Sequence, residues 1–172
     1  MKPTYRFYSF VAGLYLSPLQ RGLQTAHAVS EMHAVLLNKD SGEVSPERAA
    51  FNDWALEDRT IVILDALNSA GVIDAYTKAT AFADFFNLPV VMFSEDTQSL
   101  NNATTAAGII VPDYIFDAKK KTVKNSFVRR LLGRKPRTIY TYVQDEKTYD
   151  YELGFEAGDF CHFLKSYRLA QS

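Results

Sequence analysis

Gln20-Arg21-Gly22-Leu23-Gln24-Thr25-Ala26-His27-Ala28 is the stretch on which the fold turns. It follows an apolar, strand-like run over residues 8–16. Ser17-Pro18 breaks that run. A serine can accept from the free amides that open a helix, and a proline suits the first helical position. A strand, a short turn and a helix with polar groups near the strand's end is how open α/β folds build a site. Gln24, His27 and Glu31 are spaced i, i+3, i+7 and share one stripe. Leu19, Leu23, Ala26, Val29, Met32 and Leu36 supply the apolar face expected to pack on the sheet. From the spacing alone, His27 reads as a half-buried structural histidine.

Outward from that stretch, strands and helices alternate. Residues 5–16 read as a first strand and 19–37 as the helix. Asn38-Lys39-Asp40-Ser41-Gly42 has turn chemistry. Ser45-Pro46-Glu47 opens a second helix running to about residue 56, which carries the single tryptophan, Trp54. A β-branched strand over 60–64, a helix over 69–86 and a strand over 88–93 follow. Residues 94–105 are rich in hydroxyls and amides and read as a short capped helix or a solvated loop. A fourth strand over 106–111 ends at Pro112. This alternation predicts an α/β domain around a largely buried sheet.

Beyond Pro112 the composition changes. Residues 1–112 hold 7 basic and 12 acidic side chains, a net −5, whereas 113–172 hold 12 basic and 8 acidic, a net +4. Nine of the basic residues fall between positions 119 and 137, so a polyanion should meet this part first. Residues 117–121 read as a charged turn. Val123, Phe127, Val128, Leu131 and Leu132 then repeat at helical spacing with Lys124, Arg130 and Arg134 opposite, a basic amphipathic helix or a plain surface helix. Residues 138–143 and 148–153 read as a hairpin, and Phe160, Phe163, Leu164 and Tyr167 as a last amphipathic helix. We therefore divide the chain into an α/β domain over 1–112 and a C-terminal basic extension of helix, hairpin and helix over 113–172.

Cys161 is the only cysteine, which excludes an internal disulfide and a cysteine-based metal site. Set in an apolar pattern, it reads as an inert core thiol. No apolar run approaches the ~20 residues of a membrane helix. We expect a soluble cytoplasmic protein with no membrane partner.

Three features of residues 5–112 resemble the type 2 peptidyl-tRNA hydrolase family. Gln24-Thr25-Ala26-His27-Ala28 after the first strand is similar to that family's Gln-x-x-His-Ala helix start. Thr97-Gln98 after the third strand is similar to its Asp-x-x-x-Thr-Gln run. Thr105 leads into an apolar strand ending at Pro112, and the element order fits. The resemblance implies a mixed four-stranded sheet flanked by helices. It also implies cleavage, without a metal or cofactor, of the ester joining a peptide to the 3′ end of tRNA. Two positions depart from the pattern. The family's lysine seven residues before its histidine is Gln20 here, which cannot place a full charge on an oxyanion. The family's aspartate four residues before the Thr-Gln pair is Phe93, which cannot polarise water. Glu95 or Asp96 could replace it only with a reshaped turn.

The resemblance makes His27, Asp96, Thr97 and Thr105 the candidate catalytic residues. Gln20, Arg21, Gln24 and Gln98 are the candidate substrate-binding residues. Lys124, Arg129, Arg130, Arg134 and Lys135 are the candidate nucleic-acid contacts. The expected partner is tRNA or other RNA. The alternative is an inactive binding or inhibitor protein on the same scaffold with a protein partner, including a second copy of itself. A small-molecule hydrolase ranks last, since no nucleophile motif is present. His33 and His162 have no companions that suggest a role.

Overall fold

Strand β1, Tyr5–Val11, is the spine of the first sheet. In the computed structural model, which describes residues 2–13, 17–39, 44–123, 137–144, 147–153 and 155–170, β1 pairs on both sides. It runs parallel to β2 (Thr60–Asp65) and antiparallel to β4 (Thr104–Pro112). β4 also pairs antiparallel with β3, Val90–Ser94. These four strands are joined by a fifth, the two-residue β8, Arg168–Leu169, lying antiparallel to the end of β2. The order is β3-β4-β1-β2-β8, a mixed sheet flanked by helices. Every residue of β4 is buried, as expected of a strand with a neighbour on each edge and cover on both faces.

Helix α1, Pro18–Lys39, starts with a reciprocal cap. Ser17 Oγ accepts from Gln20 N at 3.3 Å, and Gln20 Oε1 accepts from Ser17 N at 2.8 Å. Both free amides are thereby satisfied, the capping-box arrangement of a serine followed three residues later by glutamine. Met32 and Leu36 face the core as expected, with Val29 packed against it, but the first turns present a different face: Gln24, Thr25 and Ala28 are buried, whereas Ala26 is exposed, Leu19 is 84% exposed and Leu23 54%. Two polar residues lie inward because the sheet offers them polar partners. Thr25 Oγ1 donates to the fully buried Ser9 Oγ at 3.0 Å.

Ala28, Met32 and Leu36 pack with Phe7, Val11, Val91, Ala106 and Ile110 on one face of the sheet. Helix α2, Pro46–Asp53, and the π-helical turn Trp54–Asp58 close this core with Ala50, Phe51 and Trp54. Ser45 caps α2 by accepting from Arg48 N at 3.2 Å. The π turn ends what reads in sequence as a continuous helix to residue 56. It aims Trp54 Nε1 at Thr60 O, 2.9 Å away, with the indole against Phe7. Helix α3, Ser69–Phe86, buries Val72, Ala75, Ala79 and Ala83 and packs against β4, β3 and β1. None of these α3 residues belongs to the α1–α2 cluster. Asn68 caps it, and Asn87 ends it at a φ of 52°, a conformation asparagine tolerates.

The chain divides into two compact units, Met1–Pro112 with Tyr167–Ser172, and Asp113–Ser166. The second unit contains the short α5 (Asp113–Phe116), an antiparallel sheet in the order β5 (Lys119–Val123), β6 (Arg137–Gln144), β7 (Lys147–Leu153), and α6 (Phe155–Ser166). β6 (Arg137–Gln144) and β7 (Lys147–Leu153) form a hairpin. β5, Lys119–Val123, is an edge strand where a charged turn was expected. Lysine suits an edge because its charge opposes pairing with a further chain. The expected basic helix, with Lys124, Arg129, Arg130, Arg134 and Lys135, lies outside the described residues. Cys161 is buried, its thiol directed at the carbonyls of Phe116 and Ala118. No helix among the described residues is long and apolar enough to cross a membrane.

Gly108, in the middle of β4, lies under the ring of Phe7, and a Cβ there would collide with the ring's far edge. Gly108→Ala should therefore destabilise the fold by ~1–3 kcal/mol, the usual cost of overpacking a core, read as a lower thermal midpoint. A second expectation concerns alkaline pH. Tyr167 meets Phe10 edge-on at 4.9 Å, and burial, with Asp74 nearby, raises its phenol above 10.0. The fold thus favours the neutral phenol. That contribution is intact below pH 10 and is lost as pH rises from there through the folded value. Tyr167→Phe should reduce the loss of stability above pH 10 and leave the pH 7–9 slope unchanged in denaturant titrations.

Candidate functional site

The site forms where α1 passes the end of the β3–β4 pair. Phe93 pairs with Ala106 and Ser94 with Thr104, so Thr105 is an extra residue on β4. A bulge of this kind leaves one residue out of the ladder and re-aims its side chain. Here the backbone carbonyl of Thr105 accepts from Ala12 N at 2.9 Å, and its hydroxyl turns to α1. Thr105 Oγ1 donates to Gln24 Oε1 at 2.6 Å, and Gln24 Nε2 donates to Glu95 Oε1 at 2.6 Å. The direction of this chain is fixed chemically. A carboxylate accepts only, so the Gln24 amide must turn its nitrogen to Glu95 and its oxygen to Thr105. Gln24 is 5% exposed and Thr105 4%, so both bonds are sheltered at the Gln24 end.

One turn along α1, His27 stacks on Phe93 with ring centroids 4.7 Å apart and planes 7° from parallel. The imidazole is half-buried, held by its face, which leaves its edge nitrogens for other partners. The phenyl ring thus occupies the ground where the resemblance implies a carboxylate. The carboxylate that enters this cluster is Glu95, and it meets Gln24 rather than His27.

The loop after β3 explains the choice of Glu95. Helix α4 is a single turn, Thr97–Leu100, followed by Asn101 and Asn102, both left-handed at φ 50° and 60°. Asparagine adopts this conformation at low cost, so the pair reverses the chain back to β4. Glu95 N donates to Ala103 O at 3.0 Å and Asn102 N to Asp96 O at 3.3 Å, which closes the loop at its base. Glu95 lies at that base beside α1, and Asp96 is exposed. Thr97 is exposed too, its hydroxyl donating to Asn102 Oδ1 at 3.0 Å, so it fastens the loop. Gln98 is exposed on α4. Ser94 and Thr104 share a hydrogen bond of 3.0 Å across the strand pair.

Of the sequence candidates, Gln24, His27 and Thr105 gather at one place. Gln20 is used in the α1 cap. Arg21 turns to the β1–β2 end of the sheet, its Nη2 donating to Gly13 O at 3.3 Å and standing 3.9 Å from Asp65 Oδ2. Asp96, Thr97 and Gln98 belong to the loop. Glu95, named in sequence only as a conditional stand-in, is the acidic member of the cluster. Among the described residues no group of three or more His, Cys, Asp or Glu side chains is placed to hold a metal ion.

The arrangement supplies a polarised amide, a carboxylate and an imidazole edge within one turn of α1. Among the described residues it includes no cation. Neither the protein-family models nor the curated proteins give a match to this chain.

Thr105→Val keeps the shape of the bulge residue and removes its donor, leaving Gln24 Oε1 unpaired. A buried acceptor left unsatisfied costs ~1–3 kcal/mol, so chemical denaturation should show a loss of that size. Thr97→Val, at the exposed loop, should stay within ~0.5 kcal/mol of wild type.

Proposed function

We propose that this chain is a divergent relative of the type 2 peptidyl-tRNA hydrolases that binds tRNA or other RNA and has lost most or all of the ester hydrolysis. The observation that carries the reading is the hydrogen bond between Gln24 on α1 and Thr105 on β4, with His27 one turn further along α1 and stacked on Phe93 of the neighbouring β3. These are three of the residues on which the resemblance rests.

The chemistry around them supports the loss of turnover. Hydrolysis of an ester needs a positioned water, a proton acceptor and donors for the tetrahedral oxyanion. Gln20 stands where the family has a lysine, and its side-chain oxygen is held by Ser17 N. Phe93 stands where the family has an aspartate, and its ring is stacked on His27. Removing an oxyanion donor typically costs ~10²–10³ in rate, and removing a general base ~10²–10⁴. Among the described residues Glu95 is the one carboxylate of the cluster, and it is engaged by Gln24. Cations for phosphate contact come from the nine basic residues between 119 and 137, since residues 1–112 carry a net −5.

A second reading, a binding protein with a protein partner, is favoured by one observation. Leu19 and Leu23 lie exposed on neighbouring turns of α1, in the acidic part of the chain.

Two measurements separate these. Peptide release from labelled peptidyl-tRNA by wild type should equal the protein-free background, while a gel shift with bulk tRNA should appear at low salt and weaken steeply as salt rises. Release well above background that falls in Glu95→Ala would establish an enzyme. Absence of any shift at low salt would remove nucleic acid and leave the protein-partner reading.

A further inference from the structure

We propose that the crevice at the carboxyl ends of the parallel strands β1 and β2 binds a phosphorylated ribose, with Arg168 on the phosphate, Arg21 as the charge behind it and Asp65 on a ribose hydroxyl. The crevice has a volume of about 220 Å³ and is lined by Arg21, Asp65, Arg168 and Leu169. It does not use Gln24, His27 or Glu95, and it does not rest on the RNA reading.

Its place in the fold is the first argument. In sheets with parallel strands, ligands bind outside the strands' carboxyl ends, where the following turns leave a gap. β1 ends at Val11 and β2 at Asp65, paired with each other in the ladder. The fifth strand adds Arg168 directly opposite Asp65. A two-residue strand contributes little to a sheet's stability, but this one brings a guanidinium to that crevice.

The second argument is how Asp65 is held. Leu67 N donates to Asp65 Oδ1 at 2.8 Å, and Leu67 takes a left-handed φ of 66° to do so. A branched residue in that region is strained, and such strain persists where the surroundings fix it. Gly13 completes the support. Its N–H donates to Leu67 O at 3.3 Å, and a Cβ on it would stand 2.5 Å from Asp65 Oδ1. The carboxylate thus lies where only a residue without a side chain leaves room for it. Arg21 is set by Gly13 O and stands 3.9 Å from Asp65 Oδ2.

The third argument is the chemistry of the lining. Two guanidiniums and one carboxylate give a net positive wall, so an anion is favoured over a cation. A bare anion would lie against the Asp65 carboxylate. A ligand that combines a phosphate with a hydroxyl donor satisfies both signs at once, since guanidinium donates in a fork to phosphate and a carboxylate accepts from a hydroxyl. Ribose phosphate has this pairing. It could come from a free nucleotide or sugar phosphate, or from a nucleotide within RNA.

The test uses the full chain and isothermal titration with ribose 5-phosphate, 2-deoxyribose 5-phosphate and inorganic phosphate. Arg168 is exposed, so Arg168→Ala should keep the wild-type thermal midpoint. We expect saturable binding of ribose 5-phosphate that weakens about tenfold or more in Arg168→Ala. The deoxy sugar and inorganic phosphate should bind more weakly than ribose 5-phosphate to wild type, and Asp65→Asn should narrow that difference. Displacement of a short RNA oligonucleotide by ribose 5-phosphate identifies RNA as the source. Binding of the sugar phosphate without such displacement identifies the free molecule. Absence of saturation by ribose 5-phosphate, equal affinity in wild type and Arg168→Ala, or inorganic phosphate binding as tightly as the sugar phosphate would each overturn the proposal. A failed tRNA shift alongside a positive titration would sink the RNA reading and leave this one standing.

Discussion

The Gln24 amide, bonded on one side to Thr105 and on the other to Glu95, is the constraint on which the site depends. It ties three separate parts of the chain: the first helix, the bulge on β4 and the base of the loop after β3. A hydrogen bond to a charged group contributes ~1.5–3 kcal/mol net, about twice an ordinary one. The bond to Glu95 is of that kind, and the sheltered amide cannot exchange it freely for water. The same chain sets how α1 is rotated. Gln24 must face the sheet, Thr25 next to it reaches Ser9, and the apolar residues that follow at four-residue steps, Ala28, Met32 and Leu36, face inward with them. Leu19 and Leu23 are left outside as a consequence. The polar contacts, rather than the hydrophobic pattern, decide the register of the helix in its first two turns.

How much of this could be read beforehand divides along physical lines. Alternating strand and helix patterns report local burial, and the succession through β4 follows from them. The caps at Ser17, Ser45 and Asn68 and the αL end at Asn87 are local chemistry. Ser17-Pro18-Leu19-Gln20 even contains the capping box, the reciprocal cap that Gln20 forms with Ser17. The rotation of α1 was not local. Two apolar stripes overlap on that helix, and only the presence of Ser9 and Thr105 on the sheet selects between them. The bulge was invisible for the same reason, because a register shift is a property of two paired strands. Residue types gave one hint, two consecutive asparagines before β4, which suit a reversal that brings Glu95 to the base of the loop.

Residues beyond 112 show the same limit from the other side. Three consecutive lysines suggest a solvated turn when read alone. Paired with β6 they form an edge strand, since an edge exposes half its backbone groups and tolerates charge there. β8 is shorter still. Two residues cannot produce a periodicity of any kind, so Arg168 had no signal connecting it to Asp65 before the sheet was assembled.

Helix α1 therefore does two different things along its length. Its second half is core, packed with Phe51 and Trp54 from the segment that follows. Its first two turns span the end of the sheet. Arg21 reaches Gly13 and approaches Asp65 on the β1–β2 side, and Gln24, three residues on, reaches Thr105 and Glu95 on the β3–β4 side. Residues three apart on a helix are neighbours on its surface, so one turn carries both attachments. This geometry also limits what Gln20 can do. Its side chain could be recruited to either side only by releasing Ser17 N, at the cost of a cap worth ~1 kcal/mol. A cation for chemistry at the Gln24 cluster would then have to come from outside this turn, since Arg21, the nearest one in sequence, is anchored at Gly13 O beside Asp65.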